Sequence, residues 1–92
     1  MSAYIVIEGI DRDNEAIARY RSLAAPMIKQ FKGEILAFGT WQVIHGEATH
    51  HNGTIIRFPD KDRALAWYNA PANWALLKIG NATLDCRFRL LG

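Results

Sequence analysis

The feature that most constrains this chain is a strand-like segment that runs directly into an aromatic-rich helix, over residues 54–74. Residues 54–58 are rich in β-branched and aromatic side chains, and Pro59 ends the run because it cannot donate to a ladder of backbone hydrogen bonds. Asp60 follows at the position of a helix N-cap. The segment therefore predicts a strand that feeds a crossover helix, and the N-terminal half has the pattern of a first copy of the same unit.

The N-terminal copy begins with a predicted strand over residues 3–9, which has one apolar and one mixed face. Asp11 or Asp13 can cap the helix that follows. The apolar stripe of this helix, at three- and four-residue spacing, consists of Ile17, Tyr20, Ala24, Met27, Ile28 and Phe31. Pro26 lies inside the pattern and predicts a kink near residues 22–25. Gly33 stands where a left-handed C-terminal cap is expected.

The middle of the chain contains two apolar runs, residues 34–38 and 41–45, which meet at Gly39 and Thr40. We interpret them as one long strand with a glycine bulge, although a strand with a short extension fits the same pattern. Asn52 and Gly53 form a pair typical of tight turns, between a polar loop and the strand at residues 54–58.

The C-terminal part continues the second helix past Pro71 for a turn or two and closes with a strand over residues 83–91. The packing residues predicted for this helix are Ala64, Leu65, Trp67 and Tyr68, and its last turns carry Trp74, Leu77 and Lys78. In the last strand the apolar residues Leu84, Cys86, Phe88 and Leu90 alternate with Asp85, Arg87 and Arg89.

The resulting order, strand–helix–strand–strand–helix–strand, predicts an α+β fold with the ferredoxin-like βαββαβ arrangement. Two right-handed crossovers in this order give a four-stranded antiparallel sheet with both helices on one face. The opposite face carries apolar residues such as Val6 and Ile55 beside several charges, and no element of the chain is left to cover it. Two such sheets packed face to face would bury it, so we expect a homodimer that forms a dimeric α/β barrel.

Length and composition fit one domain over residues 1–92, which buries only about 60–65% of the surface of the unfolded chain. The net charge of +2 is too small to indicate a nucleic-acid or anionic-membrane partner. The third strand also lacks the aromatic platform of an RNA-recognition module. The lone cysteine and the absence of a visible signal peptide or apolar span predict a cytoplasmic protein.

The candidate site residues fall into a charged and an aromatic group. Glu8, Arg57, Asp85, Arg87 and Arg89 share the uncovered sheet face. Paired arginines there would hold a small carboxylate, or the group would form an ion-pair network in the dimer interface. Trp41 and Tyr20 are the aromatics that fit a ligand cleft best, and His45 is a possible pocket base near Trp41.

Neither a metal site nor a cofactor site is expected. His50 and His51 are adjacent in a loop, where their side chains diverge, and no further ligand stands at a zinc-like spacing. Cys86 alternates onto the core face without a neighbouring base, so it is interpreted as a packing residue.

Several of these residues together resemble the domain-of-unknown-function family numbered 1330. The residues that carry the resemblance are Arg57-Phe58-Pro59-Asp60, the helix with Ala64, Ala66, Trp67, Tyr68 and Asn69, and Pro71 with Trp74. The resemblance spans nearly the whole chain and implies a ferredoxin-like fold of the dimeric α/β-barrel group, which includes cofactor-free monooxygenases, an isomerase and haem-binding barrels. The chain departs from the family at Phe38, where an arginine is usual, and at Ala70, where a serine is usual.

The function predicted from the sequence is the binding of a small carboxylate or aromatic metabolite by a homodimer, in a cleft between sheet and helices. Its predicted ligand-binding residues are Tyr20, Trp41, His45, Arg57 and Arg87. Two alternatives stay open: a structural or interaction dimer without catalytic activity, and a cofactor-free monooxygenase- or isomerase-like enzyme. The sequence does not decide whether a reaction is catalysed.

Overall fold

The computed structural model describes residues 2–10, 14–73 and 86–92. These residues form β1 Ala3–Gly9, α1 Asn14–Gln30, β2 Glu34–Thr40, β3 Asn52–Phe58, α2 Lys61–Asn69 and β4 Cys86–Leu91. The strands build one sheet in the order β2-β3-β1-β4, and each neighbouring pair is antiparallel. The predicted α+β, ferredoxin-like arrangement is therefore confirmed.

The core lies on the helix-covered face of the sheet, which we call the inner face. Its buried side chains are Ala3 and Ile5 of β1, Ala24 and Ile28 of α1, Ile56 and Phe58 of β3, and Ala64 and Trp67 of α2. The Trp67 ring lies 5.7 Å from the ring of Phe58 and 6.3 Å from that of Phe88. The alternation read from β1, β3 and β4 thus places the expected residues beneath the helices, because successive side chains of a strand point to opposite faces.

The N-terminus of α2 is capped as the sequence predicts. The Asp60 carboxylate accepts a hydrogen bond from the backbone N–H of Arg63 at 2.7 Å, and its second oxygen pairs with the Arg63 guanidinium at 2.7 Å. The backbone hydrogen bond, with the nearby Arg63 charge, lowers the pKa of Asp60. At the other end Ala70 is extended, as expected for a residue that precedes proline, and residues 71–73 form a separate helical turn.

The C-terminus of α1 differs from the prediction in one residue. The left-handed position is Lys32, with φ of 62°, and not Gly33. The N–H of Lys32 donates to the carbonyl of Lys29 and that of Gly33 to the carbonyl of Ile28, each at 2.9 Å, which is the Schellman pattern. Gly33 is needed for a different reason: a β-carbon there would lie 2.5 Å from Phe58 Cε1 and 2.8 Å from Ile28 Cγ2.

The second strand is shorter than expected. β2 ends at Thr40, and its irregularity lies between Ile35 and Ala37 and not at Gly39. The ladder continues for one backbone hydrogen bond, from the Trp41 N–H to the His51 carbonyl at 2.8 Å. Since β3 begins at Asn52, residues 42–45 have no strand beside them in the described part of the chain and do not extend the sheet.

Asn52 and Gly53 are the first residues of β3, so the predicted tight turn is wrong. Gly53 is required here by packing, because a β-carbon on it would lie 2.2 Å from Trp41 Cζ2. Local turn chemistry is thereby overridden by a contact between the indole and the strand.

Several predicted positions lie outside the described residues. They are Asp11 and Asp13 as helix caps, Trp74, Leu77 and Lys78 after α2, and Leu84 and Asp85 before β4. Among the residues that are described, no helix combines the length and apolar character of a membrane span.

We expect Gly33→Ala to lower the free energy of unfolding by about 1–3 kcal/mol, because the new methyl group overlaps the Phe58 ring and Ile28. Urea denaturation followed by circular dichroism measures the change. Gly39→Ala is the matched control, since nothing lies within 4 Å of a β-carbon there, and it should change stability by less than about 0.5 kcal/mol. Equal effects of both substitutions would contradict the packing role of Gly33.

Candidate functional site

A cavity of about 280 Å³ lies between α1 and the inner face of the sheet. Its apolar wall is made mainly of Ile7, Ala24, Ile28, Ile35, Ile56 and Trp67. Polar groups enter it from α1 and from the strand ends: Tyr20, Arg21, Thr40, Asn52, Thr54 and Cys86. A buried cavity of about 150 Å³ suffices for benzene, so this one has room for a small ring compound with a polar substituent.

The Tyr20 hydroxyl is anchored by a fully buried amide. It donates to Asn73 Oδ1 at 3.2 Å, and Asn73 Nδ2 donates to the Tyr68 carbonyl at 3.0 Å. Burial raises the pKa of Tyr20, and the neighbouring Cys86 and Tyr68 raise it further. The phenol is therefore kept protonated, and while its proton is directed at Asn73 its oxygen keeps the capacity to accept a hydrogen bond.

Arg21 brings a positive charge to the cavity wall. Its guanidinium carbon lies 3.6 Å from the centre of the Phe38 ring, a cation–π contact between α1 and β2. The Arg21 Nε atom is buried and has no hydrogen-bond partner among the described residues. Burial lowers the pKa of Arg21, yet an arginine stays charged in proteins, so the desolvated charge remains.

Trp67 supplies a second unsatisfied group. Its indole Nε1 is also buried without a hydrogen-bond partner among the described residues, and the side chain lines the same cavity. Both Arg Nε and Trp Nε1 are donors only. Buried donors are normally paired in native proteins, so these two donors are exceptions within the described residues.

Of the five residues predicted from the sequence, Tyr20 lines the cavity and the other four do not. Trp41 lies on Gly53, whose neighbours in the ladder are Glu8 and Gly39. This is the uncovered side of the sheet, which we call the outer face, because Gly53 alternates with the inner-face Thr54 and Ile56. His45 is exposed in the segment after β2.

Arg57 and Arg87 also lie on the outer face and are far apart. Arg57 is opposite Tyr4 on one side of β1, and Arg87 is opposite Glu8 on its other side. Two strand spacings and a four-residue offset separate their α-carbons by about 16 Å. Within one protomer they do not hold the same small anion.

Each of these arginines is instead paired with a carboxylate. Arg57 pairs with Glu34. Glu8 Oε1 lies 3.1 Å from Arg87 Nε and 3.3 Å from Arg89 Nε, and Glu8 is only 8% exposed although neither α1 nor α2 covers this face. The outer face thus shows ion pairs across the strands, as in the ion-network alternative, while Asp85 lies outside the described residues.

Sequence reasoning missed Arg21 and Asn73. Arg21 stands four residues after Ile17 and three before Ala24, so helical spacing places it within the apolar stripe of α1. A charge at such a position is a signal that could have found it. Asn73 gives no comparable signal, because its burial depends on the helical turn after Pro71.

Within the described residues no group of three possible metal ligands comes together, and His50 Nδ1 lies 2.9 Å from Thr49 Oγ1.

We expect Tyr20→Phe to lower the free energy of unfolding by about 1–3 kcal/mol at neutral pH, since it leaves the buried Asn73 carbonyl without its donor. Chemical denaturation measures the loss. Tyr4→Phe is the control, because the Tyr4 hydroxyl makes no hydrogen bond to a described residue and its removal should have a much smaller effect.

The wild-type protein and Tyr20→Phe are also expected to differ in how their stability changes at alkaline pH. Tyr20 has a raised pKa in the folded protein, whereas the unfolded chain releases the phenolic proton near pH 10. The folded state then binds more protons than the unfolded state, so wild-type stability falls above about pH 10. Tyr20→Phe lacks this loss, so the difference in the free energy of unfolding between the wild type and this variant should narrow as the pH rises. A gap that stays constant would show that Tyr20 ionises normally.

The fold is similar to solved proteins of low sequence identity. A protein of unknown function from Rhodopseudomonas palustris, RPA0582, matches with a TM-score of 0.75 and 15% identity, over 98% of this chain and 80% of that one. SnoaB, a cofactor-independent oxygenase from Streptomyces nogalater, matches with a TM-score of 0.71 and 10% identity, over 99% of this chain and 91% of SnoaB. A dimeric ferredoxin-like protein of unknown function from Jannaschia sp. CCS1 matches with a TM-score of 0.66 and 14% identity, over 100% of this chain and 99% of that one.

These likenesses concern the fold, and no curated protein gives a significant match. The family model described as "Domain of unknown function (DUF1330)" matches residues 2–92. The resemblance seen in the Arg57–Asp60 segment and the second helix is thereby confirmed, and the chain belongs to the DUF1330 family.

Proposed function

We propose that this protein is a homodimer that binds a small carboxylate or aromatic metabolite in the cavity between α1 and the inner face of the sheet. The observation that carries the proposal is the cavity itself, which is lined by Arg21, an arginine whose guanidinium has no carboxylate partner among the described residues. The Nε of Arg21 and the Nε1 of Trp67, a second lining residue, are buried without a hydrogen-bond partner among the described residues. A ligand with acceptor atoms would pair with the guanidinium of Arg21, which is otherwise a partly buried charge without an anion.

The rest of the cavity supports an apolar ligand body. Ile35, Ile56 and Ala24 present only carbon to the space, and the backbones of Gly39 and Gly53 add no side chain. Ligand sites commonly combine such an apolar wall with a few polar groups that fix orientation. The volume of about 280 Å³ is near the lower end for small-molecule sites, which favours a compact ligand.

The outer face supports the homodimer. Val6 and Ile55 lie on it, and Leu91 at the end of β4 is 68% exposed. An antiparallel sheet with apolar residues on a face that no helix covers gains stability when a second sheet packs on it. The similar Jannaschia protein is described as dimeric and ferredoxin-like, which fits a dimer here.

A structural dimer without a ligand is the second candidate, and one observation favours it. The arginines of the outer face are already paired with Glu8 and Glu34, so they have no need of a bound anion. Similarity to SnoaB concerns the fold alone. Oxygenase- or isomerase-type chemistry therefore forms no part of the proposal.

Filling the cavity tests ligand binding. We expect Ala24→Leu to weaken binding of 2-naphthoate at least about tenfold, because Ala24 is 2% exposed and the longer side chain occupies the cavity. Isothermal titration calorimetry measures the dissociation constant. Ala18→Leu, on the exposed side of the same helix, is the matched control and should change it less than about twofold. Equal binding by both variants would place the probe outside the cavity, and no binding to wild type would favour the structural dimer.

A charge on the outer face tests the dimer. We expect Ile55→Glu to convert the dimer to monomer, because a buried unpaired carboxylate is costly in an apolar interface. Analytical ultracentrifugation gives the mass in solution. Ala66→Glu on the exposed side of α2 adds the same charge and should leave the mass unchanged. A monomeric wild type would overturn the homodimer proposal.

A further inference from the structure

We infer that Arg21 is the residue that recognises charge in this cavity, and that the ligand is a compact apolar monocarboxylate. The inference rests on the proposed binding function of the cavity and adds the class of ligand and the residue that selects it. Arg21 was not among the residues that the sequence singled out, and its position, contacts and surroundings each bear on this role.

The position of Arg21 is unusual for an arginine. Ala24 and Ile28 follow it by three and seven residues, and both are buried against the sheet. Arg21 therefore lies on the buried side of α1, half-buried, where a charge loses part of its hydration. Such a charge is retained at a cost unless a partner compensates it.

The charge of Arg21 has no carboxylate partner in the described part of the chain. Arg57, Arg63, Arg87 and Arg89 are more exposed and each forms an ion pair with a described carboxylate. Arg21 contacts the Phe38 ring instead, at 3.6 Å. Of these five arginines, the most buried is thus the one without an anion among the described residues, which is the reverse of what stability alone favours.

The Phe38 contact prepares the guanidinium for an anion. Stacking uses one face of the planar group and leaves its in-plane N–H donors free to meet an anion, and no ion pair with a described carboxylate occupies them. A carboxylate can accept two parallel hydrogen bonds from the edge of a guanidinium, which adds geometric specificity to the charge. The stacked ring reduces the freedom that the side chain would lose on binding.

A single negative charge matches this site. The other described polar groups of the lining are the neutral side chains Tyr20, Thr40, Asn52, Thr54 and Cys86, together with the Trp67 indole N–H. A phosphate monoester would bring a second charge without a cation to balance it, and a buried unpaired charge is strongly unfavourable. The apolar remainder of the lining excludes a polar body, such as a sugar, that would lose its hydrogen bonds to water.

The test compares three probes of one shape: 2-naphthoate, the neutral 2-naphthamide and the dianionic 2-naphthyl phosphate. Calorimetric titration of the intact protein at pH 7.5 should show that the carboxylate binds about 10- to 100-fold tighter than the amide, as expected for a charge-assisted hydrogen-bonded pair. The phosphate should bind more weakly than the carboxylate. In Arg21→Gln the preference for carboxylate over amide should fall to about twofold or less, while binding of the amide changes little.

Two further variants isolate the role of Arg21. Arg19→Gln removes the same charge from an exposed position on α1 and should keep the preference. Arg21→Lys keeps the charge without the planar group and should retain only part of the preference for carboxylate over amide. Circular dichroism and thermal unfolding of Arg21→Gln verify that it folds, and Arg21→Lys provides the comparison if that variant does not.

The outcomes separate this inference from the proposed function. Binding of both naphthoate and naphthamide with equal affinity, lost in Ala24→Leu, would leave the cavity as a binding site and overturn the role of Arg21. Tighter binding of the phosphate would overturn the monoanion class. A carboxylate preference that survives in Arg21→Gln would assign the charge recognition to another residue, and absence of binding by all three probes would overturn both proposals.

Discussion

The structure depends on the alternation of side chains across a sheet that its own helices cover on one face. Ile56 and Phe58 of β3 enter the core beneath α1 and α2, while Ile55 and Arg57, which alternate with them along the strand, face outward. Every strand residue is thereby assigned either to the core and the cavity or to the outer face. The ion pairs of Glu8 with Arg87 and Arg89 and the candidate binding cavity are thus on opposite sides of one layer.

The cavity exists because small residues stand where the helix crosses the strand ends. Ala24 faces the sheet with one methyl group, and Gly39 and Gly53 contribute only backbone to the lining. Larger residues close the space around it, in particular Trp67, whose ring is packed between Phe58 and Phe88. The hydrogen bond between Tyr20 and Asn73 joins α1 to the helical turn after α2, so it holds Tyr20 in the wall of the cavity.

The sequence was sufficient where short-range chemistry decides the outcome. Asp60 caps α2 and the alternation in β4 places Phe88 inward, as predicted. It failed where a distant contact decides: the Trp41 indole requires Gly53 within a strand, although Asn52 and Gly53 have the chemistry of a turn. The placement of Arg57 on the outer face was predicted correctly, but its assignment to a cleft under the helices was inconsistent with that alternation. Arg21 was overlooked although its three-residue spacing from Ala24 places a charge within the apolar stripe of α1.

The location of Phe38 has a consequence for how the cavity exchanges its contents with solvent. Phe38 belongs to β2, which is an edge strand of the sheet and carries an irregularity between Ile35 and Ala37. Edge strands open locally at a lower free energy than central ones, and opening of β2 would withdraw the ring from the Arg21 guanidinium. Local opening of this one strand is thus coupled to the wall of the cavity. An occupant that bridges Arg21 and Phe38 would slow hydrogen exchange more at the amides of β2 than at those of β1.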